Sequence, residues 1–194
     1  TIRPMIENNI PLRILNSFNA KHPGTLIVDS PGENRKISPA IISTTGLSMI
    51  AVGSRDDSWS LALAARILTT LSGEGVQVLM FSQSFFEHSL NLIIRSQDQS
   101  HCLRVLKREF GSERSPEKCE IDLHEQIGTV SVVGLSNGKS NGAVSHAYAA
   151  LGKGGTQVIA VAQPATERSV SFCIPEEQVP DTVRLLHTEL GLDE

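Results

Sequence analysis

Two polar clusters in this chain carry the same residue types at the same spacing: Gln83 and Glu87 in QSFFEHS, and Gln163 and Glu167 in QPATERS. A side-chain amide both donates and accepts, and a carboxylate four residues on accepts only, so the pair suits reading a small polar ligand. A hairpin turn is the alternative, since polar residues cost nothing there. The strand-to-helix loops SRDDSWS and LSNGKSNG form a second recurring element. A helix start rich in Ser, Asn and Gly presents unpaired amides and partial positive charge to a ligand carboxylate. Ordinary N-capping by Ser60 or Asn141 is compatible with that use.

These clusters recur because the chain contains itself twice. Residues 71–111 return as residues 151–191, matching Gly75 with Gly155, Gln77 with Gln157, Ser89 with Ser169, Arg104 with Arg184 and Gly111 with Gly191. Each copy reads as strand, helix, strand, strand, helix. In the first, SMIAVG is an apolar run, Trp59 to Leu71 has helical spacing, Val76 to Ser82 and Ser89 to Arg95 read as strands, and Cys102 to Phe110 form a helical stripe stopped by Gly111. The second repeats this with Thr129 to Val133, Gly142 to Leu151, Gln157 to Ala162, Ser169 to Ile174 and Pro180 to Leu190. Upstream of each core lies one more apolar patch, PAIIS and CEIDL, readable as an edge strand or as a linker. The order βαββα plus a flanking strand predicts an α+β protein of two ferredoxin-like βαββαβ units, antiparallel sheets with helices on one face. Polar, proline-containing GSERSPEK reads as the joint. Simple succession then gives residues 1–36 as a preceding remnant and linker, 37–115 as the first unit and 116–194 as the second. Within the remnant, IPLRILN and TLIVD read as strands and SPGENRK as a solvated loop.

Composition narrows the function. The 194 residues carry a net charge of −4 with no Lys/Arg-rich run, which argues against a nucleic-acid partner. Within the sequence there is no apolar run of about 18 residues and no charged-then-apolar leader. Three cysteines without framework spacing read as buried thiols in a reducing cytoplasm. The opening TIRPMIENNIPL reads like the interior of a longer protein.

The nucleotide and metal motifs GxGxxG, GxxxxGK, CxxC and HExxH do not occur. His88, His101, His124, His146 and His187 sit singly on predicted elements, without the one-face pairing that metal ligation needs. Cys102 and Cys173 fall on apolar stripes. The expectation is a chain with no catalytic residue, no metal site and no cofactor of its own.

Three stretches resemble a known family. IPLRILNSFNAKHPGTLI is similar to the segment where aspartate kinases leave their catalytic domain, and VQVLMFSQSFFEHSLNLII and TQVIAVAQPATERSVSFCI resemble that family's two ACT regulatory segments. The resemblance extends over nearly the whole chain and implies a tandem ACT region, sensing an end-product amino acid, threonine or lysine, for a kinase domain of the same polypeptide. Phosphorylation of aspartate, with its ATP and Mg, would belong to that domain. The family's effector lies between ACT units, often across a homodimer formed by ACT sheets. Carried onto this chain, its contacts are Asp57, Trp59 and Ser60, then Ser140, Asn141, Gly142 and Ala143, with backbone contacts at Val78 and Val158. Gln83 and Gln163 match glutamines tied to threonine sensing, with Glu87 and Glu167 following. The chain departs from the pattern at Ala62, where the family prefers glycine, at bulky Trp59, and at Phe85, Phe86, Pro164 and Ala165, where it prefers small serines. Gly142 keeps the glycine in the second copy, so the resemblance implies a weaker first site. Two other readings remain: a dimerisation module whose ligand sites have decayed, and the sensor region of another amino-acid enzyme.

Overall fold

The computed structural model describes residues 2–19, 21–28, 39–54, 59–84, 86–111, 119–134, 141–165 and 169–192, without the side chains of Arg3, Ile6 and residues 141–143. The chain falls into two compact units, residues 1–38 and 39–194.

The smaller unit holds helix α1 (Arg3–Glu7) and a hairpin of β1 (Leu12–Ile14) and β2 (Thr25–Ile27), in which Leu12 lies opposite Ile27. Both strands are shorter than the apolar runs that predict them. The glycine of PGTLI has a steric cause. Gly24 sits at φ +73°, and a Cβ there would run into the Ile14 carbonyl oxygen. The expected loop over 30–36 lies outside the described residues.

The larger unit is built on one six-stranded antiparallel sheet of order β4-β5-β3-β6-β8-β7. Its strands are β3 (Ala40–Ser54), β4 (Met80–Ser84), β5 (Ser89–Arg95), β6 (Cys119–Val133), β7 (Ala160–Ala162) and β8 (Ser169–Pro175). PAIIS and SMIAVG, read separately in the sequence, are the two halves of β3, and CEIDL and TVSVV are the two halves of β6. The strands pair along their whole length, from Ala40 opposite Val133 to Ser54 opposite Cys119, with register shifts between Thr44 and Met49. At that break Gly46 has φ +70° and Gln126 φ +56°. Left-handed residues there kink both strands without ending them.

This pairing corrects the division of the chain at residue 115. Residues 119–123 pair with the C-terminal half of β3 and complete the first βαββαβ module, where Cys119 is buried and Ile121 and Leu123 pack on the first core. Residues 40–44 pair with the C-terminal half of β6 and complete the second, where Ile41 packs on the second core. The modules therefore exchange edge strands. The sequence hides this because an apolar five-residue run carries no record of its partner.

Helices α2 (Leu61–Gly73) and α3 (Gln99–Phe110) cover the first module, and α4 (Asn141–Lys153) and α5 (Val179–Glu189) the second. In α2, Leu63, Ile67 and Leu71 bury one face against Ile50, Val52, Leu90 and Leu92. Fully burying each such side chain contributes about 1.5–3 kcal/mol. The helix stops at left-handed Gly75, beyond which the Val76 N–H donates to the Leu71 carbonyl at 2.9 Å. Gly155 and Thr156 repeat this after α4, at φ +66° and 3.0 Å. Pro180 occupies the first turn of α5. The three cysteines are buried. Burial pushes the Cys102 and Cys173 thiols up to about 11, with Asp98 adding to the effect at Cys102. Both stay protonated at neutral pH and are poor nucleophiles. No described helix is long and apolar enough to cross a membrane.

The sheet folds over on itself, so its outer strands β4 and β7 touch. Between its two inner faces lies a small third core of Leu47, Met49, Ile93, Ile127, Ala160 and Cys173.

Candidate functional site

In the first module the predicted ligand residues collect on the helix-bearing side of edge strand β4. Gln83 lies opposite Leu90, which lies opposite Val52. Partners in a register share a face, so Gln83 stands on the same face as these two core residues, near the end of β3 where the loop to α2 leaves. Trp59 and Val78 both pack against the first core from that side. Trp59 is bulky in a loop expected to hold ligand, yet it is only half-exposed. Its indole Nε1 is buried and has no hydrogen-bond partner among the described residues, an expensive state for a donor. Ser60 caps α2, its hydroxyl accepting from the Leu63 N–H at 3.1 Å. That capping role takes one of the first-turn amides.

Glu87 does not join this group through any described side-chain bond. It sits in the turn after β4, exposed, and its own N–H donates to the Ser84 hydroxyl at 3.2 Å. The serine of the recurring motif sets register, Ser89 lying opposite both Gly53 and Ser84. The Glu87 N–H and Ser89 thus serve the turn, while the Glu87 carboxylate and the Gln83 amide are exposed. Asp57 lies outside the described residues.

The second module repeats the plan with a shorter edge. Its ladder ends at Ala162 opposite Ser171, so Gln163 is exposed and unpaired in the sheet. Pro164 follows and has no N–H to continue the ladder. Val158 is 38% exposed ahead of β7. Asn141, Gly142 and Ala143 form the first turn of α4, with their side chains undescribed, and Ser140 and Glu167 lie outside the described residues. The two modules' candidates lie at separate edges.

Sequence reading missed the apolar surface beside Gln83, where Phe81 is 54% exposed. The alternation in MFSQS is the signal for it: Phe81 and Gln83 share one face and Met80 and Ser82 the other. It also missed a clamp between the helices, where Arg108 of α3 meets Glu74, just past α2, at 2.7 Å. Arg108 holds the Glu74 carboxyl below the usual carboxylate range.

A βαββαβ plan repeated twice, with polar groups at the outer strand and loop, is matched by one family model, described as ACT domain, over residues 61–110 and 130–190. The chain belongs to the ACT domain family. Over 98% of its length it is 27% identical to a bifunctional aspartokinase/homoserine dehydrogenase of Haemophilus influenzae. It spans just under a quarter of that relative, 23%. Aspartate kinase from Clostridium acetobutylicum superposes with a TM-score of 0.81 at 19% identity, covering 97% of this chain and 44% of the other. Aspartokinase III of E. coli, solved in complex with lysine and aspartate, superposes at 0.73 and 18% identity, covering 97% of this chain and 41% of the other. The resemblance of the ACT modules to aspartokinases therefore holds across the whole chain.

Proposed function

We propose that this chain is the amino-acid-sensing part of an aspartokinase, and that threonine or lysine binds at an ACT edge to control a kinase domain in the same polypeptide. The observation that carries the reading is the grouping of Gln83, Val78 and the unpartnered Trp59 indole on one side of β4, beside the start of α2. The ligand's carboxylate meets first-turn amides ahead of Leu63, its ammonium meets strand carbonyls or Asp57, and its side chain meets Gln83. Gln163 and residues 140–143 supply the counterpart in the second module. Support for lysine comes from the superposed E. coli enzyme, whose structure holds it.

End strand β4, with Phe81 exposed, suits pairing with a second copy, and such pairing would bring two edges onto one ligand. The smaller unit supports a larger parent protein: Phe18 is 99% exposed, Leu15 62% and Ile14 55%, apolar surface that a kinase domain would cover. ATP and Mg would bind in that domain. A ligand shared between units biases their placement by its differential affinity, worth about 1–3 kcal/mol in typical coupled systems. Calorimetric titration with threonine and with lysine tests the reading. Saturable heat with one of them, lost in Gln83→Ala, is expected; silence with both at millimolar concentration overturns it, as does binding unaffected by Gln83→Ala and by Gln163→Ala.

A further inference from the structure

The folded sheet forms a cleft of about 670 Å³ between the inner faces of the two modules. Volumes of this size are typical of small-molecule sites. Its two walls differ in chemistry. The first module supplies Leu79, Met80 and Ile93, an apolar surface, and Arg95 at the end of the same strand. The second supplies hydroxyls in register: Thr129 opposite Thr44, and Ser131 opposite Ser171. The last two are 2.8 Å apart and bond to each other.

Sheets that pack face to face normally fill the gap with interdigitating apolar side chains. The adjoining core does so, with Leu47, Met49, Ile127 and Cys173. In the cleft, short residues stand where large ones would close it, Ala162 lying beside Ser171 and Ser131 in a continuous row. Arg95 is exposed and makes no ion pair among the described residues. A guanidinium beside an apolar wall and a hydroxyl floor matches a carboxylate on a hydrocarbon body.

We propose that this cleft is a second ligand site, which takes a small organic carboxylate with an apolar body. Arg95 forks onto the carboxylate, Leu79 and Ile93 cover the hydrocarbon, and the Thr44 and Thr129 hydroxyls meet polar substituents. None of Trp59, Ser60, Val78, Gln83 or Gln163 lines it, so it is independent of the edge site. Because its walls belong to different modules, an occupant would fix how they pack.

The test is a methyl NMR titration of the 194-residue chain with hexanoate, and with hexanol as its uncharged analogue, in the parent and in Arg95→Gln. Saturable shifts at Leu79, Met80 and Ile93 are expected with hexanoate. Arg95→Gln should weaken hexanoate roughly tenfold, the loss of a charge-assisted contact, and leave hexanol unchanged. Absence of saturable shifts at these methyls, or an equal hexanoate response in Arg95→Gln, overturns the proposal. Threonine and lysine, which act at the edge, should leave these methyls unmoved, so failure of either site is seen separately.

Discussion

The first and second modules share a plan down to the left-handed glycine after the first helix of each, and they part at the outer strand. In the first, β4 runs five residues and carries Gln83 in the ladder; in the second, β7 stops after three and leaves Gln163 beyond its end. One residue accounts for this: Pro164 stands where the first copy has Ser84, which pairs with Ser89. The substitutions in the sequence weigh against the first site, whereas the strand geometry weighs against the second. Duplicated modules can thus keep a fold and divide its binding potential, since the core tolerates few changes and the edge tolerates many.

The two modules, sharing β3 and β6, should unfold together. Phe110 and Phe172 are almost fully buried, one in each core. Phe172→Ala should cost about 3–5 kcal/mol. Because β3 and β6 run through both modules, calorimetry should show one lowered transition for the whole sheet; a transition lost from one half alone would mean independent folding. The exchange of strands is tested next by Ile41→Asp, which places a charge against the second core. A loss of about 1–3 kcal/mol is expected, and hydrogen exchange should accelerate in α4 and α5 before α2 and α3. Faster exchange in the first module would refute the pairing of residues 40–44.

Smaller effects sharpen the picture at the edges. Ser60→Ala removes the cap of α2 and should cost about 1 kcal/mol, read by denaturant unfolding. Pro164→Ser restores an N–H, and slowed exchange at residue 164 would show β7 lengthening toward its counterpart. The smallest effect is at the Glu74–Arg108 clamp, which is solvent-exposed. Glu74 has a folded-state pKa below its unfolded value, so its contribution is present above the unfolded pKa and is lost as pH falls through the folded one. Arg108→Gln should abolish that slight acid dependence, measured as the change in Tm between neutral and acidic pH.

Much of this was readable in the chain. The core face of β5, Ser89–Arg95, follows from the spacing of Leu90, Leu92 and Ile94, and the stripe Cys102, Val105, Leu106, Phe110 places α3 because helical spacing and a terminal glycine agree. What the sequence withheld was nonlocal. Nothing in PAIIS says that it joins SMIAVG through a kink at Gly46, or that CEIDL completes the other copy's sheet, because partner choice is decided by which open edge is near. The candidate site was legible in residue type and not in role. Ser60 caps α2, the Glu87 backbone closes the turn after β4, and Trp59 is a half-buried indole, since a spacing of Gln and Glu does not record which way each side chain faces.

Trp59, the chain's single tryptophan, stands at the first module's edge and reports on ligand there. Its emission should change saturably as lysine or threonine is titrated in, and the change should vanish in Gln83→Ala while persisting in Arg95→Gln. Emission that stays constant with both amino acids, in a chain shown by calorimetry to be folded, would contradict sensing at the first module's edge.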